Sequence, residues 1–317
     1  PKADVDKRVE ADGSMNRREF LLSAAAATRI SFPVPAGATD CHTHIFGDPA
    51  RFPLSPTRGY TPQPALPEAM RHMMGTLGLE RVVIVTPSVY GTDNRATLYG
   101  IREVGKAARG IAVIDEQTSE RELDAMHRGG VRGIRLNLTT AGVTDPAQGR
   151  ARFQRAAERI RRRGWHIQMY ATLAVISGIR DLVLEAPVPV VFDHFGGAKA
   201  ALGVGQAGFA TLVELVKSGK ANVKISGAYR ASDRAPDYSD ATPLAKMLIA
   251  ANPARIVWGT DWPHPDSPGP AGRKATEVSA PLPIDDARLL NQLAVWAPDA
   301  AVRRQILVEN PARLYGF

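Results

Sequence analysis

The feature that most constrains this chain is the regular alternation of short, apolar, β-branched runs with segments of helical spacing. Eight candidate strands stand out: Thr39 to His44, Arg81 to Pro87, Gly110 to Ile114, Val131 to Leu138, His166 to Tyr170, Val188 to His194, Asn222 to Ser226 and Arg255 to Asp261. Runs such as Val82-Val83-Ile84-Val85 are apolar at every position. That suits parallel strands covered on both faces. Between them, Glu120 to Arg128, Phe153 to Arg163, Leu212 to Lys217 and Pro243 to Ala251 have helical spacing with charged outer faces. Ser119 followed three residues later by Glu122 has the pattern of a capping box at the first of these. Eight β/α units in about 280 residues point to an α/β fold, a single (β/α)8 TIM barrel spanning 39–317.

In that fold the loops at the C-terminal strand ends build the site. His42, His44, Arg135, Asn137, Tyr170, His194 and Asp261 all fall at such ends. On a regular strand, side chains two apart share a face. Asp40, His42 and His44 are therefore expected on one side of the first strand, with Cys41 on the other. An HxH pair alone has an equal bland reading, as hydrogen-bonded core. Its recurrence beside polar residues at the other strand ends favours a site.

Bulk properties narrow the class. The chain has 317 residues, with Lys plus Arg 40 against Asp plus Glu 32 and a net charge of +8. No basic run is interleaved with aromatics, so no nucleic-acid partner is expected. Arg161-Arg162-Arg163 reads as the solvated C-terminal end of a helix. A positive field suits small anionic molecules instead. Cys41 is the single cysteine, so no intrachain disulfide forms, and its thiol reads as core. No run is long enough to span a bilayer, and nothing in the sequence fixes an oligomeric state.

Residues 1–38 differ in character. Asn16-Arg17-Arg18-Glu19-Phe20-Leu21-Leu22 has the twin-arginine pattern, followed by the small apolar run Ser23 to Ala27 and by Ala36-Gly37-Ala38, an A-x-A pattern. Arg29 interrupts the apolar region, and cleavage after Ala38 would leave almost nothing before the first strand. Residues 1–38 are read as a largely disordered tail carrying an export signal. Periplasmic export is the expectation and a cytoplasmic location its alternative.

Five segments, in order, resemble the amidohydrolase superfamily and within it the 2-pyrone-4,6-dicarboxylate lactonases and related lactone enzymes. They are Asp40 to Gly47, Gly91-Thr92-Asp93-Asn94, Gly133-Ile134-Arg135-Leu136-Asn137, Phe192-Asp193-His194-Phe195-Gly196, and Trp258 to Pro265. The resemblance covers 39–317. It implies a TIM barrel and a site drawn from HxH on the first strand, histidines on the fifth and sixth, and an aspartate on the eighth. Here the fifth strand ends in Tyr170, and His166 lies four residues earlier, near the barrel floor. The fourth strand offers Arg135 and Asn137 rather than a group that bridges two metals. Lactonases of this branch work without metal, so no cofactor is expected. The alternative is a single zinc or manganese ion on His42, His44 and Asp261.

The resemblance implies ring opening of a small, carboxylated lactone. Asp261 would activate water, with His42, His44 and His194 stabilising the oxyanion. Arg135 and Arg230 would anchor the substrate carboxylate, and Ser88, Tyr170 and His264 would hydrogen-bond its rim or orient the base. Each has a plainer counterpart: a turn cap for Asp261, a core pair with Asp193 for His194, surface ion pairs for the arginines. The dicarboxylate lactonases carry further arginines where this chain has Ala141 and Gly197, which argues against an identical substrate. Tyr238-Ser239-Asp240 and Ile256 to Gly259 resemble sugar-acid lactone isomerases. A metal-dependent decarboxylase and a non-catalytic acid binder remain the other readings.

Overall fold

The computed structural model describes residues 28–317, apart from 268, 270 and 271. Eight parallel strands form one sheet in chain order: β1 (Thr39–Thr43), β2 (Arg81–Val85), β3 (Ala108–Ala112), β4 (Val131–Asn137), β5 (His166–Tyr170), β6 (Val190–Phe192), β7 (Ala221–Ser226) and β8 (Ile256–Gly259). β1 returns beside β8, and the seam is tied at its upper end. Asp261 N–H donates to His42 O at 2.9 Å and His44 N–H to Trp262 O at 2.8 Å. Gly259 makes this approach possible, because a Cβ there would sit 2.7 Å from His42 N. The TIM barrel expected from the sequence is the fold observed.

Two cores result from strand alternation. Val82, Ile84, Ile134, Ile167, Met169, Val223, Ile225, Ile256 and Trp258 point outward and pack under the helices. Each such fully buried aliphatic or aromatic side chain contributes about 1.5–3 kcal/mol. Their strand neighbours face inward. Near the floor these are Val83, Val85, Ile111 and Val257, with Cys41 and Tyr315; further along they become Arg135, Gln168 and Lys224. Cys41 was expected on the face opposite His42. A register irregularity between Asp40 and Thr43 breaks the alternation of β1. Cys41 consequently joins the inner floor, where burial pushes its thiol pKa up and leaves it an apolar packing group.

The Glu120–Arg128 helix has the capping box, with Ser119 accepting from Glu122 N. The Pro146–Ile160 helix starts earlier than its periodicity suggests, because the Asp145 side chain accepts from Ala147 N and Pro146 suits the first turn. The twin-arginine segment lies outside the described residues. Residues 28–38 lie against the barrel rather than forming a free tail. Phe32 is buried, Ser31 N–H donates to Asn291, and Gly37 N–H donates to Glu80 at 3.0 Å. At the barrel mouth, Thr61–Pro62 pairs with Val278–Ser279, tying the loop after β1 to the loop after β8.

Candidate active site

At the C-terminal strand ends the first strand's histidines meet the carboxylate that follows β8. Asp261 Oδ1 lies 3.6 Å from His42 Nε2 and 3.3 Å from His44 Nε2. His194 Nε2 is 4.0 Å from Oδ2. Asp261 projects inward because its backbone is left-handed, with φ 69°. Few residues tolerate that conformation as well as aspartate. His194 gets there in the same way. β6 stops at Phe192, and left-handed His194 and Phe195 (φ 49° and 57°) turn the chain back over the barrel. Asp193 and His194, which a continuous strand would send in opposite directions, consequently both reach the interior.

The second oxygen of Asp261 is held from β7. Gly227, with φ 54°, ends that strand and starts a short helical turn carrying Tyr229 and Arg230. Tyr229 OH donates to Asp261 Oδ2 at 2.7 Å, and Arg230 Nε donates to the same oxygen. Arg230 also gives its terminal nitrogens to Ser267 O and Pro265 O. It lines the cavity, yet most of its donors are spent on protein. Arg135 is freer. Its Nε meets Asp193 Oδ2 at 3.2 Å, leaving the terminal nitrogens to face the cavity, where Tyr170 lies under the guanidinium.

Sequence reasoning passed over a polar layer just beneath. Asp193 takes Gln168 Nε2 at 3.0 Å on Oδ2, and its Oδ1 lies 3.3 Å from His42 Nδ1. Lys224 Nζ donates to Gln168 Oε1 at 2.6 Å and to Cys41 O at 2.8 Å. Lys224 stands between Val223 and Ile225 and Gln168 between Ile167 and Met169, and a polar residue at an inward position was the available signal. Asp40 sits at the seam, accepting from Thr260 Oγ1 at 2.6 Å and from His42 N at 3.0 Å. Burial pushes its pKa up to about 7 against those hydrogen bonds.

His44, His194, Ser88, Tyr170, Arg135, Arg230 and Asp261 line one cavity of about 160 Å³, together with Tyr60 and Asn137. His42 is buried behind it, its ring against those of His44 and His194. Through Ser88, Arg135 and Asn137 the cavity adjoins a larger groove of about 590 Å³. His264 is not brought in. Its Nε2 pairs with Asp286 at 2.9 Å, and it lines a separate cavity of about 320 Å³. Its side chain reaches the site only through a ring contact with Tyr229 at 5.5 Å, while its backbone N–H donates to Asp261 O at 2.9 Å. His166 lies at the floor against Tyr315, as expected.

The electrostatics follow from burial and a fixed charge balance. Burial raises the Asp261 pKa, but the charge of Arg230, with His194, His44 and His42, outweighs it and holds the carboxyl well below its usual range. Burial lowers His42 and His44 and brings His194 down to about 4. In all three imidazoles burial disfavours the charged form. The positive field therefore comes from Arg135, Arg230 and Lys224, set against the carboxylates of Asp193 and Asp261.

The chain belongs to the amidohydrolase family, whose model matches residues 39–317. It is 36% identical over 295 residues to a 4-sulfomuconolactone hydrolase from Rhizobium radiobacter, covering 92% of this chain and 94% of that one. It is 33% identical over 301 residues to a 2-pyrone-4,6-dicarboxylate hydrolase from Comamonas testosteroni, covering 92% and 94%. A D-galactarolactone isomerase from Agrobacterium fabrum is 30% identical over 300 residues, covering 93% and 96%.

Among the described residues, two triads have the spacing of a metal ligand set, with donor atoms within 4.8 Å of one another: His42, His44 and Asp261, and His42, Asp193 and His194. In the first, His42 Nε2 and Asp261 Oδ1 lack hydrogen-bond partners. His44 Nδ1 must donate to Val85 O at 2.7 Å, which turns the lone pair of neutral His44 Nε2 towards Asp261. This triad fits one divalent ion, which would polarise a carbonyl. The second triad is already met by the Lys224 ammonium, 3.4 Å from His42 Nδ1 and 3.6 Å from Asp193 Oδ1.

Proposed function

We propose that this chain hydrolyses a small lactone bearing a carboxylate or comparable anionic group, with Asp261 activating the water. The observation that carries the reading is the state of Asp261. One oxygen is clamped by Tyr229 and Arg230, and the other is buried without a hydrogen-bond partner, aimed at His42 and His44. A carboxylate kept ionised and aimed in this way can take a proton from water at the mouth of the barrel. His44 and His194 line the cavity beside it and orient the water and the carbonyl. Arg135 offers its guanidinium edge to the substrate anion, over the ring of Tyr170, and Ser88 faces its rim. Arg230 serves mainly to hold the base.

No metal step is invoked. Arg135, Arg230 and Lys224 already outnumber Asp193 and Asp261 by one charge. A divalent ion would raise that excess to three in a buried cage, where like charges are poorly screened. The oxyanion is served by the fixed guanidinium of Arg135, whose preorganisation suits charge development. The 30% identity to a lactone isomerase favours one second reading, acyl migration within a sugar-acid lactone on the same residues. A pH-indicator screen over pyrone dicarboxylate, muconolactone-type and aldaric lactones tests the proposal. Acid release from at least one anionic lactone is expected, and none from any of them would refute it.

A further inference from the structure

The barrel interior holds a fully buried lysine that the reaction above uses neither as acid, nor as base, nor as substrate contact. Lys224 stands midway along β7, between outward-facing Val223 and Ile225, with no exposed surface. Two of its ammonium protons go to Cys41 O and Gln168 Oε1. The third is left to His42 Nδ1 and Asp193 Oδ1, both on its remaining side. Because an ammonium can only donate, Gln168 must turn its oxygen to Lys224 and its N–H to Asp193. Asp193 Oδ1 has no other hydrogen-bond partner.

We propose that Lys224 is the built-in cation of this site, standing where a second metal ion would be held by His42, Asp193 and His194 and positioning His42 from below. An ion bound at about 2 Å from nitrogen and carboxylate ligands competes for the two atoms that the ammonium already approaches. The chain has the ligand spacing and fills it with an ammonium that is covalently held in place. Lys224 is thus a positioning residue. Removing its charge should turn the triad into a divalent-ion site.

The test uses purified full-length wild type, Lys224→Met, Lys224→Gln and the double variant Lys224→Met/Asp193→Asn, each dialysed against Mn²⁺. Metal per chain is measured by mass spectrometry, and folding by circular dichroism. Both single variants should bind one more ion than wild type, and the double variant should lose it. Stabilisation of the single variants by Mn²⁺ alone supports the same conclusion. Lys224→Gln should also lower kcat at least tenfold with little change in KM. Folded single variants that take up no additional ion, or an unchanged kcat, overturn the proposal. Wild type decides should both variants fail to fold. Anomalous diffraction from Mn²⁺-soaked crystals should place no ion between His42, Asp193 and His194, and an ion found there beside an intact Lys224 refutes the inference.

Discussion

Replacing Asp261 by Asn probes the proposed base with the least change of shape. The amide oxygen can still accept from Tyr229 and Arg230, as Oδ2 does now, and the amide N–H can meet the His44 lone pair. What is lost is proton affinity. Removing a general base costs ~10²- to 10⁴-fold, or roughly 3–5 kcal/mol of transition-state stabilisation. A second cost falls on the fold, because the buried Arg230 loses its charged partner. Weakening a charge-assisted hydrogen bond costs about 1.5–3 kcal/mol, equivalent to roughly 3–5 °C in Tm for a domain of this size. The assay pairs steady-state kinetics on the lactone found by the screen with a thermal melt and with binding of a non-hydrolysable dicarboxylate. Turnover should fall at least 100-fold while the variant stays folded and ligand affinity changes by less than tenfold. Activity within tenfold of wild type would show that another group activates the water.

Further predictions divide the neighbouring residues by role. Arg135→Met should raise KM about 10- to 100-fold with a smaller loss in kcat, as loss of a charge-assisted anion contact requires; unchanged affinity for every anionic ligand would remove Arg135 from the substrate. Arg230→Met should do the reverse, lowering kcat more than it raises KM, since its Nε holds Asp261; a pure KM effect would restore it as the main anchor. Asp261 and His42 lie well below their usual pKa ranges and His194 near 4, so none of the three should give kcat/KM an acid limb between pH 8 and about 5.5; a limb near 7 should come from Asp40 at the seam and vanish in Asp40→Asn, and one that survives in that variant would contradict the account. Burial, with the charge of Lys224, lowers His166 to about 3 against 6.5 when unfolded; the unfolded chain therefore gains a proton first, and stability should drop below pH 6.5 by at most ~5 kcal/mol at pH 3, a slope that His166→Met should flatten in urea titrations. Export of a reporter fused to residues 1–38 should stop when Arg17 and Arg18 are both changed to Lys; export that survives would remove the twin-arginine reading.

The barrel was legible because periodicity reports burial on two faces, which only an enclosed parallel sheet imposes. HxH and the aspartate after β8 were legible because barrel geometry places strand ends together. Three local backbone events were not. The irregularity in β1 turned Cys41 inward, left-handed His194 put two consecutive residues into one site, and left-handed Asp261 aimed its carboxylate at β1. None of these changes the hydrophobic pattern. His264, one turn past the aspartate, also looked within reach, and its pairing with Asp286 depends on where the Asp286–Trp296 helix docks. Lys224 and Gln168 carried a visible signal, a polar residue at an inward position. Their meaning required the partners that come from other strands.

The most direct measurement of the central claim is turnover of the accepted lactone in H₂¹⁸O with a chelator present, followed by mass spectrometry of the product. Water activated by Asp261 should place one ¹⁸O atom in the ring-opened acid, at a rate the chelator leaves unchanged. A product that remains a lactone with no ¹⁸O would establish acyl migration instead. Incorporation that stops on chelation and returns with zinc or manganese would contradict the metal-free account.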